Sequence, residues 1–362
     1  MSTLPPMSTG ALASRRVSRR RFVGGSLAIA VAMPAVGRPA FAAGSLNVYN
    51  WDTYIGQDTV ANFSDETGTN VRYDLYAGND ELFAKLREGN PGYDVIFPSN
   101  DYLERMVVAD MVQKLDHSKI PNMSNLAPRF LEAKFDPGRE HSLSYFWGTQ
   151  GVGYRTTAVD GVESWSLLFD SEELSGRKSL LTDVAVLQTA MKYLGFSANS
   201  TDPAEIQQAI DLLIRAKPTI QSFAPDTGQD LLISGEVDLA MEYSGDIMQV
   251  MEEDDELSYA VPQEGAILWE DVMAIPTGAP NVENAHAFIN YILTPEVHAE
   301  IAEEVQYACP NQAAVELLPE DQRNNPVIYP SEEVLDRCEF KIYMGEETEG
   351  LYAQGMTRVL AS

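Results

Sequence analysis

Short apolar runs alternate with stretches of helical periodicity along most of this chain, and no other feature constrains its fold as tightly. Residues 46–49 read as a strand and 58–66 as a helix; 71–75 and 79–88 repeat the pair; 93–97 begins a third strand. Such alternation predicts an α/β fold with largely parallel sheets, because parallel neighbours need a crossover and a helix is the usual one. In the second helix Asn79 stands where a cap is needed, Leu82, Phe83 and Leu86 share a face, and Gly89 suits the exit. A second set follows residue 150. Residues 180–182 are strand-like, Thr201-Asp202-Pro203 opens a helix carrying Ile206, Ile210 and Leu213, and 237–243 is a strand running into Ser244-Gly245-Asp246. Ala285, Phe288, Ile289 and Ile292 have helical spacing, Thr294-Pro295 starts a further helix, and the acidic run 252–256 reads as a solvated loop.

The first 43 residues stand apart. They hold no acidic residue, a basic stretch ending Ser18-Arg19-Arg20-Arg21-Phe22-Val23, an apolar run over 23–35, and Ala40-Phe41-Ala42 as a small-x-small cleavage pattern. This is the order of an export signal. Ser-Arg-Arg-x-Phe resembles the twin-arginine type, which carries folded proteins, with a Sec signal bearing the same arginines as the alternative. The apolar run falls short of the roughly 20 residues a membrane span needs. The expectation is a soluble mature chain of about 320 residues, exported to a periplasm and long enough for two lobes.

The formal net charge is -29, and removing six arginines with no acid takes it to about -35. Nucleic acid is excluded as a partner, since phosphate contacts need basic patches. An acidic field attracts cationic ligands, although a generally acidic, salt-adapted surface has the same composition. Two cysteines, Cys309 and Cys338, in an exported chain allow one disulfide, which would stabilise by roughly 3–4 kcal/mol. Two buried free thiols are the alternative.

The strand-like segments end in similar company. The first delivers Trp51, Asp52 and Tyr54. Phe97 runs into Pro98-Ser99-Asn100-Asp101, Tyr243 into Ser244-Gly245-Asp246, Ile267-Leu268 into Trp269-Glu270-Asp271, and Val305-Gln306 into Tyr307. Any one cluster reads as ordinary packing beside a solvated acid. Several together suggest an aromatic slot with carboxylates, at the strand ends where α/β proteins hold ligands. Aromatic faces attract ammonium groups by roughly 0.5–2 kcal/mol each, and carboxylates accept their hydrogen bonds. Catalytic constellations are missing from the sequence. His117, His141, His286 and His298 show no metal spacing, and there is no nucleophile elbow, phosphate loop or dinucleotide fingerprint. Neither an enzyme nor a cofactor is expected.

Over nearly the whole mature chain, the residues resemble the periplasmic polyamine-binding proteins of ABC importers, of the putrescine and spermidine type. "VYNWDTYIG", "YDVIFPSNDYLERM", "YFWGTQGVGYR", "LGFSANSTDPAEI", "SGEVDLAMEYSGD", "GAILWEDVMAIP" and "INYILTPEVHAEIAEEVQYACPNQAA" carry the resemblance. It implies a two-lobed periplasmic-binding-protein fold of type II with the ligand in the interlobe cleft. Lobe 1 would comprise 44–149 and 270–317, and lobe 2 would comprise 150–269 and 318–362. Trp51, Tyr54 and Tyr307 resemble wall residues, Asp52 a polar contact, and Ser99 a cleft hydroxyl. Tyr243 stands where tryptophan is usual, Asp246 matches an acid of putrescine-type members, and Trp269 with Asp271 resembles the aromatic–acid pair, Asp271 being the principal ammonium partner. Three departures concern the choice of amine. Ala185 replaces a glutamate for the far ammonium, with Asp183 displaced nearby. Asp226 stands where serine is common and would restore the charge from another wall. Asp101 replaces a tyrosine of spermidine-type members, either as a further acid or facing water. The implied protein is a monomer that closes on a polyamine and docks transiently on a membrane permease. Another cationic solute such as a guanidino compound, or a ligand-presenting signalling module, are the alternative readings.

Overall fold

A computed structural model describes residues 44–225 and 227–362; the expected export signal lies outside these residues. The described residues form ten strands: β1 Ser45–Trp51, β2 Asn70–Tyr76, β3 Val95–Ile96, β4 Ser142–Arg155, β5 Lys178–Leu181, β6 Ser222–Ala224, β7 Leu239–Tyr243, β8 Leu257–Ala260, β9 Ile267–Ala274 and β10 Glu339–Phe340. Eight of them run in the order β2-β1-β3-β9-β4-β7-β5-β6, with β10 beside β9 and β8 beside β4. The expected parallel pairing holds at both flanks, β1 with β2 and β3, and β5 with β6 and β7. It fails in the middle, where β9 and β4 are antiparallel to each other and to their outer neighbours β3 and β7. β4 is the joint. Its first part, 142–149, pairs with β9, whereas the part from Gln150 onward pairs with β7 and β8.

Helices cover both flanks for the reasons their sequences announce. In Val282–Ile292 the residues Ala285, Phe288, Ile289 and Ile292 are fully buried, and Phe288 meets Phe63 edge to face at 5.0 Å. Each such aromatic contributes about 1.5–3 kcal/mol relative to exposure. Pro203–Ala216 begins with Asp202 accepting a hydrogen bond from Ala204 N at 2.8 Å, and sets Ile206, Ile210 and Leu213 into a second core with Trp165 and Tyr352.

Several expectations change. Asn79 does not cap its helix: Gly78 holds that position, and the Asn79 side chain turns to Ser99 instead. Trp269-Glu270-Asp271 does not end a strand but lies inside β9. Val305 ends the helix Pro295–Val305, and Gln306 reaches Tyr307 through a left-handed turn at φ +59°. The acidic run is not wholly solvated, since Arg155 holds Asp254 at 3.0 Å and Glu256 at 3.1 Å. Cys309 and Cys338 are free thiols, not a disulfide. The reason is placement: Cys309 is buried among the residues around Phe288, whereas Cys338 packs elsewhere, its sulfur donating to Val334 O and accepting from Ala266 N.

Candidate functional site

A cleft of about 1120 Å³ opens on β1, β7 and β9 and on the loops around them. Asp271 stands in its wall. Ser99 meets Asp271 in a short antiparallel bridge, and Ser99 Oγ donates to Asp271 Oδ1 at 2.6 Å. Asn79 completes the relay, with Nδ2 donating to Ser99 Oγ at 2.9 Å and Oδ1 accepting from Ser99 N at 3.1 Å. The hydroxyl of Tyr54 approaches the same carboxylate without ideal hydrogen-bond geometry. Burial pushes Asp271 up to about 7; Ser99 and Tyr54 oppose the shift, while nearby Asp101 and Glu270 add to it. A carboxylate so placed is costly when ionised and alone, and an incoming ammonium would relieve that cost.

Rings surround this acid. Trp51, at the end of β1, donates from Nε1 to Phe97 O at 2.8 Å and leans on Tyr76 at 4.7 Å. Tyr54 meets Tyr307 edge to face at 5.9 Å, Tyr307 meets Trp269 at 4.9 Å, and Trp269 meets Tyr243 at 6.0 Å. Two glycines make room for this chain of rings. A Cβ on Gly148 would lie 2.7 Å from Trp269, and one on Gly245 would lie 2.4 Å from Tyr307. Asp246, in the first turn of Ser244–Met251, accepts from the Tyr307 hydroxyl at 2.8 Å.

Ten of the eleven residues singled out in the sequence, all but Asp226, line this one cleft. Asp226 lies outside the described residues. Asp52 is exposed at the rim and accepts from Thr53 N at 3.0 Å. Asp101 does not face water: it is buried and paired with Lys341 at 2.8 Å. Asp183 also reaches the wall, accepting from Ala185 N at 2.6 Å and from the Tyr243 hydroxyl at 3.4 Å. Sequence reasoning missed Asn79, which was read as a cap, and Lys341, which stands 240 positions from its partner with no local motif. Among the described residues the wall carries eight acids and two bases, Arg105 and Lys341. That balance favours a cation.

The model of the bacterial extracellular solute-binding proteins matches residues 58–327. A putrescine-binding periplasmic protein of Pseudomonas aeruginosa is 38% identical, over 86% of this chain and 90% of its own length. A spermidine/putrescine-binding periplasmic protein of Escherichia coli is 37% identical, over 83% and 87%. The solved spermidine/putrescine ABC transporter substrate-binding protein of Streptococcus pneumoniae superposes with a TM-score of 0.80 at 34% identity, covering 88% of this chain and 99% of that one. The chain belongs to the bacterial extracellular solute-binding proteins and shares the two-lobed periplasmic-binding-protein fold with these relatives. These relatives are binding proteins, one of them the substrate-binding protein of an ABC transporter, and not enzymes.

Proposed function

We propose that this protein captures a polyamine of the putrescine or spermidine type in the periplasm and delivers it to the permease of an ABC importer. The observation that carries the reading is Asp271, a carboxylate closed off from water by Ser99 and Tyr54 beside the Trp269–Tyr307 ring pair. In this reading Asp271 holds one ammonium and Asp246 another. Trp51, Tyr54, Tyr243, Trp269 and Tyr307 pack against the methylenes, and Asp52 contacts the ligand from the rim. The lobes are 44–149 with 270–317 and 150–269 with 318–362. The change of partner along β4 at Gln150 supports a hinge there. The ligand draws the lobes together, and the closed monomer docks transiently on the permease. No cofactor takes part.

Thermal unfolding with putrescine, cadaverine, spermidine, spermine, agmatine and a monoamine tests this. A ligand at 100 times its dissociation constant adds about 2.7 kcal/mol, a visible rise in midpoint. Stabilisation by a di- or triamine and not by the monoamine is expected. Stabilisation by agmatine alone would turn the reading to guanidino solutes, and no shift with any amine, after unfolding and refolding to strip copurified ligand, would overturn it.

A further inference from the structure

One cation is built into the acidic wall and held there from several sides. Lys341 follows β10, which pairs with β9 through Phe340 and Leu268. Its backbone N donates to Leu268 O at 3.2 Å, and Asn100 Nδ2 donates to its carbonyl. The side chain, 19% exposed, reaches the carboxylate of Asp101, 10% exposed, at 2.8 Å. Burial works against the ammonium, yet Asp101 first, then Asp183 and Glu349, hold it protonated above the ordinary lysine range. Arg105, the other base of the wall, is differently engaged: it pairs with Glu346 at 2.9 Å and lies over the Phe83 ring at 4.2 Å. Asp183 is further committed to Ala185 N and the Tyr243 hydroxyl.

Asp101 therefore already has a cation, while Asp183 and Glu349 act on Lys341 through their charge alone. Asp271, which feels the charge of Asp101, and Asp246 have other hydrogen-bond partners, the first Ser99 and the second Tyr307. Two ligand ammonium groups find acids there. A third, at the end of a longer chain, would meet an Asp101 already paired and the positive charge of Lys341 beside it. Resting on the polyamine reading, we propose that Lys341 is a specificity-determining residue: its ammonium occupies the place of a third ligand amine, so that the cleft takes diamines and turns away triamines.

Titration calorimetry of putrescine, cadaverine and spermidine on the wild type and three variants tests the proposal. The wild type is expected to prefer the diamines at least tenfold. Lys341→Gln frees Asp101 and should raise spermidine affinity at least tenfold while moving putrescine less than threefold. Lys341→Arg keeps the charge and should keep the preference. The double variant Asp101→Asn/Lys341→Gln removes both members of the ion pair, guards against a folding defect from an unpaired Asp101, and should gain a smaller but measurable affinity for spermidine. Equal wild-type affinity for diamine and triamine overturns the inference. So does a wild type that prefers diamines but whose two glutamine variants gain no spermidine affinity, or lose both amines equally. A wild type that binds no amine at all overturns the polyamine reading itself, and this inference with it.

Discussion

Arg139 and Glu270 form an ion pair, Nη2 to Oε1 at 2.5 Å, with almost no access to solvent, and Glu270 stands between the cleft residues Trp269 and Asp271. Arg139 is tied back in turn, donating from Nε to Phe130 O at 2.6 Å. The pair thus holds β9 from behind while its neighbours on either side face the cleft. Removing one partner leaves a buried charge uncompensated. Glu270→Gln is expected to cost about 3–5 kcal/mol in urea unfolding. A loss below about 1 kcal/mol would mean that the pair behaves as a surface bridge and does not anchor the strand.

Asp271 and His298 should give opposite slopes of stability against pH across nearly the same range. Burial pushes His298 down to about 4, opposed by its Nε2 hydrogen bond to Tyr145 O at 2.9 Å. Its folded value lies below the ordinary 6.5, so its contribution is intact above about 6.5 and is lost as pH falls toward 4, by about 3 kcal/mol in all. Asp271 is raised to about 7 from 3.8. Its contribution is intact below about 4 and is lost as pH rises toward 7, by about 4 kcal/mol in the ligand-free protein. Asp271→Asn should therefore unfold at higher urea than the wild type at pH 8, with the advantage gone at pH 4. His298→Gln should lose less stability than the wild type between pH 7 and pH 4.5. Parallel pH profiles for wild type and variants would contradict both assignments.

Binding should carry a proton signature of the same carboxyl. An ammonium favours the ionised form of Asp271, and aliphatic amines stay protonated over the whole range, with ordinary values about 10. Below pH 7 the proton must leave for the ligand to bind. Calorimetry in two buffers of different ionisation enthalpy at pH 6 should show release of close to one proton, and affinity should fall toward tenfold per pH unit below 7. Asp271→Asn should abolish that dependence and weaken binding by about 3 kcal/mol, roughly a hundredfold. Binding with no proton release at pH 6 would place the ammonium elsewhere.

Much of this fold was legible because period and position agree. Phe288, Ile289 and Ile292 share a helix face and fill a core, and Asp202-Pro203 starts a helix where its chemistry requires. The aromatic–acid clusters also pointed to one cleft, and ten of the eleven residues singled out line it. What stayed illegible depends on long-range contact. Asn79 has the local signature of a cap, yet Ser99, twenty positions on, wins its side chain. Asp101 reads as a further acid or as a residue facing water until the fold brings Lys341 to it. The antiparallel centre was hidden for the same reason. β4 and β9 are more than a hundred positions apart, and nothing within either run specifies the direction of its neighbour.

Gly245 offers a test that separates site geometry from stability. It lies near the start of the helix Ser244–Met251, where alanine is the better helix former by up to about 1 kcal/mol. The space is closed, however: an added Cβ would stand 2.4 Å from the Tyr307 ring, with other ring atoms at 2.6 Å. Tyr307 would have to shift, disturbing its hydrogen bond to Asp246 and its edge contact with Trp269. Gly245→Ala is therefore expected to weaken diamine binding at least tenfold, about 1.4 kcal/mol, while the ligand-free unfolding midpoint changes little. Unchanged affinity would show that the ring chain is not part of the binding surface. A large loss of ligand-free stability would show instead that the close approach of Tyr307 to this helix is needed to hold the fold together.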